Sequence, residues 1–197
     1  MLDVESRGSQ SLLNLKEFAN PFAYELKVKK PGSDESEERI IDLVETFNYL
    51  IGLRVDIAQA TQAYDAEFER LPDPELPEDQ NTRLTIKGRL RHSDTGKWRF
   101  RCIKGTVPKN RFTPNDGATE RVLVIWRNLT GDLEQDNAVL DEYCQHERIS
   151  TLDNEVDVIY VNGSNTLPNL KRPQDTWKVR LIEEDFLARM WEEDENA

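Results

Sequence analysis

Val122-Leu123-Val124-Ile125-Trp126 is an uninterrupted apolar run, and no other feature narrows the fold as much. A strand alternates faces with period 2, so five apolar residues in succession describe a strand covered on both sides. After it, Asp132 and Gln135 have the spacing of a capping box. Leu133, Leu140, Tyr143 and Cys144 then fall on one side of a helix expected over 132–146. Val156-Asp157-Val158-Ile159-Tyr160-Val161 returns to a strand. Strand, helix and strand with short links predict a βαβ unit over about 121–161 with a right-handed crossover. The expected fold class is α/β, a mixed sheet with that unit, flanking helices and a basic β-hairpin inserted at about 83–104.

The rest of the chain fits around this frame. Residues 1–20 read as an irregular lead-in, and Phe22, Tyr24, Leu26 and Val28 alternate as one side of a strand. Ser36 is the expected N-cap of a helix, with Glu37 and Glu38 in its first turn. Ile40, Leu43, Val44, Phe47, Leu50 and Ile51 form its apolar face, and Gly52 ends it. Residues 53–60 predict a strand. The acidic stretch 65–79, with Pro72, Pro74 and Pro77, reads as a loop that cannot join a central strand. Arg83–Arg91 and Lys97–Lys104 alternate around His92-Ser93-Asp94-Thr95-Gly96 and read as a hairpin. A strand over 177–182 and a helix carrying Phe186, Leu187, Met190 and Trp191 close the pattern, followed by an acidic tail.

Composition bounds the function. The 197 residues carry a net charge of −12 with two cysteines, too few for a disulfide framework and in keeping with a reducing cytoplasm. No apolar run reaches the roughly 20 residues of a membrane helix, and the first residues lack the segments of a signal peptide. No Gly-x-Gly and no Gly-x-Ser-x-Gly occurs, so dinucleotide, phosphate-loop and nucleophile-elbow chemistry have no signature here. Cys102 and Cys144 sit at apolar positions and read as core thiols. His92, Cys102, Cys144 and His146 equal a zinc ligand set in number but not in spacing. Carboxylates are too abundant for any pair to be singled out as acid and base. No catalytic residue and no metal site is assigned.

Charge is unevenly placed. Residues 83–111 hold ten Lys or Arg and one acid, a net +9 that leaves −21 elsewhere. Alternation puts Lys87, Arg89, Arg91, Lys97, Arg99 and Arg101 on one face of the expected hairpin, with Leu84, Ile86, Leu90, Trp98 and Phe100 on the other. Like charges opposed across a sheet cost roughly 0.2–1 kcal/mol each, so an anionic neighbour is implied. It is either nucleic-acid phosphate, gaining through counterion release, or an acidic segment of the chain itself. A second concentration, Arg127, Asn128 and Thr130 with Asn162 and Asn165, leaves the two parallel strands at their carboxyl ends. That is where open α/β sheets bind ligands, although Asn, Gly and Asp also serve as turn and cap residues.

Several ordered stretches carry a family likeness. They are Leu2-Asp3-Val4-Glu5-Ser6-Arg7-Gly8-Ser9 with Asn20-Pro21-Phe22, Asp42–Leu53 (DLVETFNYLIGL) and Arg121–Asp132 (RVLVIWRNLTGD), then Ile159–Gly163 (IYVNG) and Val179–Phe186 (VRLIEEDF). Together they resemble the C-terminal region of the adenine-specific DNA methyltransferase (modification) subunit of type III restriction-modification systems. The likeness spans roughly 1–57 and 120–192, leaving 58–119, with the acidic loop and basic hairpin, as a variable insertion in one domain of 1–197. It implies a parent enzyme that methylates adenine N6 in DNA from S-adenosylmethionine. It also implies a second modification subunit and a restriction helicase-nuclease subunit as partners. The family's catalytic Asp-Pro-Pro-Tyr and its Phe-x-Gly-x-Gly are absent, and Asn20-Pro21-Phe22-Ala23 imitates the former without its second proline. The resemblance therefore implies a non-catalytic domain with no cofactor of its own, serving assembly with the catalytic domain and weak DNA contact in the cytoplasm. The alternatives are a pure protein-interaction module and an independent enzyme using the loops 127–132 and 162–165.

Overall fold

The computed structural model describes residues 18–23, 25–29, 36–40, 42–77, 81–110, 117–172 and 176–192, and the motif at 2–9 lies outside them. Its centre is the apolar run. Thr119–Arg127 forms β9, and every residue from Val122 to Arg127 is buried. On one side β9 pairs in parallel with β10 (Val158–Val161), which pairs in parallel with β11 (Val179–Leu181). On the other it runs antiparallel to β8 (Trp98–Pro108), from Phe100 opposite Arg127 to Pro108 opposite Thr119. The far edge of β8 is shared by β3 (Arg54–Ala58) and β4 (Gln62–Asp65), and β4 also pairs with β7 (Arg91–His92). The fold is thus mixed α/β, with three α-helices among the described residues.

Two clusters cover the two faces. Val122, Val124, Trp126, Val158, Tyr160 and Ile103 pack against Phe18, α1 (Leu43–Ile51) and α3 (Ile182–Glu192). Leu123, Ile125, Ile159, Val161, Trp98, Phe100 and Cys102 pack against α2 (Leu133–His146). This two-sided cover is why the β9 run is apolar throughout. No described helix is long and apolar enough to cross a membrane.

Three local expectations are corrected. The cap of α1 is Asp42, whose carboxylate accepts the N–H groups of Val44 and Glu45 at 3.0 Å each. Ser36 instead opens β2 (Ser36–Ile40), antiparallel to β1 (Glu25–Lys29), so Ile40 lies in that strand. Asp42 wins because it stands directly before the apolar repeat and satisfies two orphan donors. Next, the stretch 65–79 contains β5 (Phe68–Pro72), paired with β6 (Thr82–Ile86) in a separate two-stranded sheet. Pro72 sits at the strand end, where a missing N–H is tolerated.

The third correction concerns the basic hairpin. Residues 83–91 and 97–104 do not pair with each other, because 83–86 joins β5, 91–92 joins β4, 98–100 joins β4 and 100–108 joins β9. The long ladder to β9 buries Trp98, Phe100, Cys102 and Ile103, which a solvent-facing hairpin would not do. β8, from within 58–119, is therefore the direct neighbour of the most buried strand.

Candidate functional site

At the carboxyl edge of β9 and β10 two of the predicted polar residues, Arg127 and Asn162, meet directly. Arg127 is 1% exposed. Its Nε donates to the Asn162 carbonyl (3.1 Å), Nη1 to the Asp136 carbonyl (2.8 Å) and to Asn137 Oδ1 (3.4 Å). Nη2 donates to Asn137 Oδ1 (3.3 Å) and the Ser164 carbonyl (2.9 Å). A guanidinium has five N–H donors, and these five bonds match them in number. All the acceptors are neutral oxygens, so burial pushes the Arg127 pKa down to about 10 despite the charges of Asp136 and Glu183.

The neighbours are equally occupied. Asn162 Oδ1 accepts from the Arg127 backbone N–H (2.8 Å), and its Nδ2 donates to the carbonyls of Arg127 (2.7 Å) and Phe18 (3.0 Å). Thr130 donates its N–H and hydroxyl to the Asp136 carboxylate at 2.9 and 2.7 Å, and Trp98 Nε1 donates to the same carboxylate at 3.0 Å. Asn128 accepts from the Arg99 N–H (2.5 Å) and donates to the Lys97 carbonyl (2.9 Å). Asn165 accepts from the Leu167 N–H (3.3 Å). Most of these contacts join separate elements, since Asn162 ties β9 to Phe18 and Asn128 ties the end of β9 to β8.

The chain's own segment closes this edge. The Leu129 N–H donates to the Ala19 carbonyl at 2.7 Å. Phe18, 1% exposed, stacks on Trp126 (6.3 Å) and meets Phe186 edge-on (5.2 Å). A 3-10 turn, Pro21–Ala23, follows. Glu183 Oε1 accepts the Gly163 N–H at 2.7 Å, while Oε2 is buried without a hydrogen-bond partner. Burial raises the Glu183 pKa, opposed by the Gly163 N–H and by Arg127. Phe18, Asp136 and Glu183 were missed in the sequence. Glu183 stood there only within the VRLIEEDF stretch, Phe18 only within an irregular lead-in, and Asp136 carried no reading.

The six predicted cations are dispersed. Arg91 binds Glu67 at 2.6 Å and Arg101 approaches Glu45 at 3.6 Å. Lys97 lies 4.6 Å over the Trp98 ring and reaches Gln135 at 3.5 Å. Lys87 and Arg89 are exposed around Gly88, whose φ of +86° forms the turn after β6, and Arg99 is exposed on β8. Two of the six are thus ion-paired, Lys97 is taken up by Trp98 and Gln135, and Lys87, Arg89 and Arg99 keep side chains free of such contacts among the described residues.

The thiols and imidazoles form no ligand set. Among the described residues no three His, Cys, Asp or Glu come together to hold a metal. Cys102 Sγ lies 3.2 Å from the Tyr143 hydroxyl, and Tyr143 stacks on Phe100 at 4.0 Å. Burial pushes Cys102 up to about 11 and Cys144 to about 12, which keeps both as thiols rather than nucleophilic thiolates. His92 and His146 instead sit edge-on to Tyr64 at 5.8 and 6.3 Å.

Compared with known protein families, with curated proteins and with solved structures, the chain matches none.

Proposed function

We propose that this chain is a non-catalytic assembly domain of the kind found at the carboxyl end of type III modification methyltransferases. β9, α2 and β10 are its βαβ unit. The observation that carries the reading is the closed carboxyl edge, where Phe18 and Ala19 lie over the strands and Arg127 has its donors matched by protein oxygens. An enzyme of this sheet type needs that edge open. The residues there do not fit S-adenosylmethionine, which the reading assigns to a catalytic region carrying Asp-Pro-Pro-Tyr and Phe-x-Gly-x-Gly. The partners are that catalytic region, a second modification subunit and the restriction helicase-nuclease, in the cytoplasm. DNA contact is an accessory role and falls to Lys87, Arg89 and Arg99.

The test is co-expression of the tagged chain with the separately tagged catalytic region of a modification subunit from the same genome. Size-exclusion chromatography with light scattering then reads the mass. A stoichiometric complex is expected. Elution of the folded chain at its own 22.9 kDa in every such mixture overturns the reading, as does measurable methyl transfer by the chain alone.

A further inference from the structure

A cavity of about 480 Å³ lies at the opposite end of the same strands, bounded by the last turn of α1, the end of β8, the first residues of β9 and β10, β11 and α3. That volume falls in the roughly 300–1,000 Å³ range of small-molecule sites. Its floor and walls are apolar, from Val122 and Val158 with Leu50, Ile51 and Val107. Its rim carries Lys109, Arg180, Arg189 and Glu120. The composition follows from the fold. β8 ends and β9 begins here, beside the last turn of α1 and beside α3.

The electrostatics favour an anion. Glu120 is already bridged by Arg172 at 2.9 Å. Asp185 accepts the Tyr160 hydroxyl at 2.6 Å and stands 3.9 Å from Arg180. Around the cavity, Lys109, Arg172, Arg180 and Arg189 stand near Glu120 and Asp185, while Asp157, which also interacts with Arg172, is paired with Arg121 at 3.2 Å. The carboxyl end of α1 opposes this, since a helix end carries roughly half a negative charge. But its carbonyls are engaged. Gly52 and Leu53 N–H groups donate to Tyr49 and Asn48, and Arg189 Nη1 donates to the Leu50 carbonyl at 3.4 Å. Arg180 Nε donates to the Trp177 carbonyl at 3.1 Å. With five donors on each guanidinium, both retain N–H groups for a ligand.

We propose that this cavity binds a small amphipathic anion, a single carboxylate or phosphate head on an apolar body. The head lies between Lys109, Arg180 and Arg189, and the body lies on Val122, Val158 and Ile51. The proposal goes beyond the assembly reading and is independent of it, because the cavity and the closed edge lie at opposite ends of the sheet.

The experiment titrates the full chain with octanoate, octyl phosphate, octanol and inorganic phosphate, following backbone amide shifts by NMR. Octanoate or octyl phosphate is expected to bind with a Kd below about 1 mM and to move the amides of Gly52, Lys109, Glu120, Val122 and Arg180. The stronger of the two identifies the head. Octanol and inorganic phosphate, each lacking half of the chemistry, should bind at least tenfold more weakly. Lys109→Glu, an exposed change, and Arg180→Gln should each weaken the anion at least fivefold, whereas Arg83→Gln, between β6 and α2, should leave it within twofold. Octanol binding as well as octanoate, shifts centred elsewhere, or full affinity in a folded Lys109→Glu or Arg180→Gln protein overturns the proposal.

Discussion

Arg127 is a charge carried into the core with no carboxylate in direct contact. Its stability rests on neutral acceptors that the ends of β9, α2 and β10 bring to one point. Arg127→Ala orphans those acceptors and removes the nearest compensation for the buried Asp136, so we expect a loss of about 3–5 kcal/mol in urea unfolding. Arg127→Lys keeps the charge but supplies three donors without the planar fork, and should recover less than half of that loss. An alanine variant within about 1 kcal/mol of the parent would mean that the lattice holds little. Glu183 gives a pH signature. Its folded pKa is raised by burial above the unfolded value. The folded state therefore holds the proton more tightly, and this contribution is full below the unfolded pKa and lost as pH rises through the raised one. Glu183→Gln keeps an acceptor for the Gly163 N–H and removes the titration. The variant's stability should stay flatter than the parent's as pH rises from about 4.5 toward 7, checked by urea melts at each pH. Equal slopes would contradict the assignment. The sequence showed Arg127 and Asn162 at one strand edge. It could not show that they bond each other rather than a ligand, because that depends on the register of β9 against β10 and on Phe18, well over a hundred residues away from Asn162.

β8 is the element whose neighbours were hardest to read. Its alternation was legible, with Trp98, Phe100 and Cys102 turned to one face, but alternation does not name a partner strand. It pairs with β3, β4 and β9, a choice that alternation alone does not make. β9, α2 and α1 were legible because apolar runs and repeats are local, as was the capping residue Asp132, which accepts the Gln135 N–H at 3.1 Å. Ser36 was misread because a capping residue and a strand residue look alike without the strand opposite. The β3–β8 pairing also rests on one glycine. A Cβ on Gly105 would stand within van der Waals overlap of the Arg54 carbonyl oxygen, beside the register shift between Val55 and Ile57. Gly105→Ala should cost about 1–3 kcal/mol and raise hydrogen exchange selectively along β3. A neutral substitution would indicate that β3 is not held against β8 at this point.

At the scale of the molecule, a sheet covered on both faces has its carboxyl edge filled by the chain itself and an open cavity at the other end. Of the six cations expected to face nucleic acid, Arg91 and Arg101 are ion-paired and Lys97 lies over Trp98, which favours a weak nucleic-acid contact. Three phosphate contacts, by Lys87, Arg89 and Arg99, give a salt slope of about −2.7 in log K against log salt, whereas all six predicted cations would give about −5.4. Fluorescence anisotropy on a duplex should find the smaller slope, with binding abolished in the triple change to Glu. A slope near the larger value would restore the continuous patch expected from the sequence. The closed edge itself is tested most directly by native-state hydrogen exchange of the Leu129, Thr130 and Gly163 amides, which donate to Ala19, Asp136 and Glu183. Opening free energies there are expected within about 1–2 kcal/mol of those at Val124 and Ile159 in the central strands. Exchange at the rate of an exposed loop, while Val124 and Ile159 stay protected, would show instead that the edge opens freely.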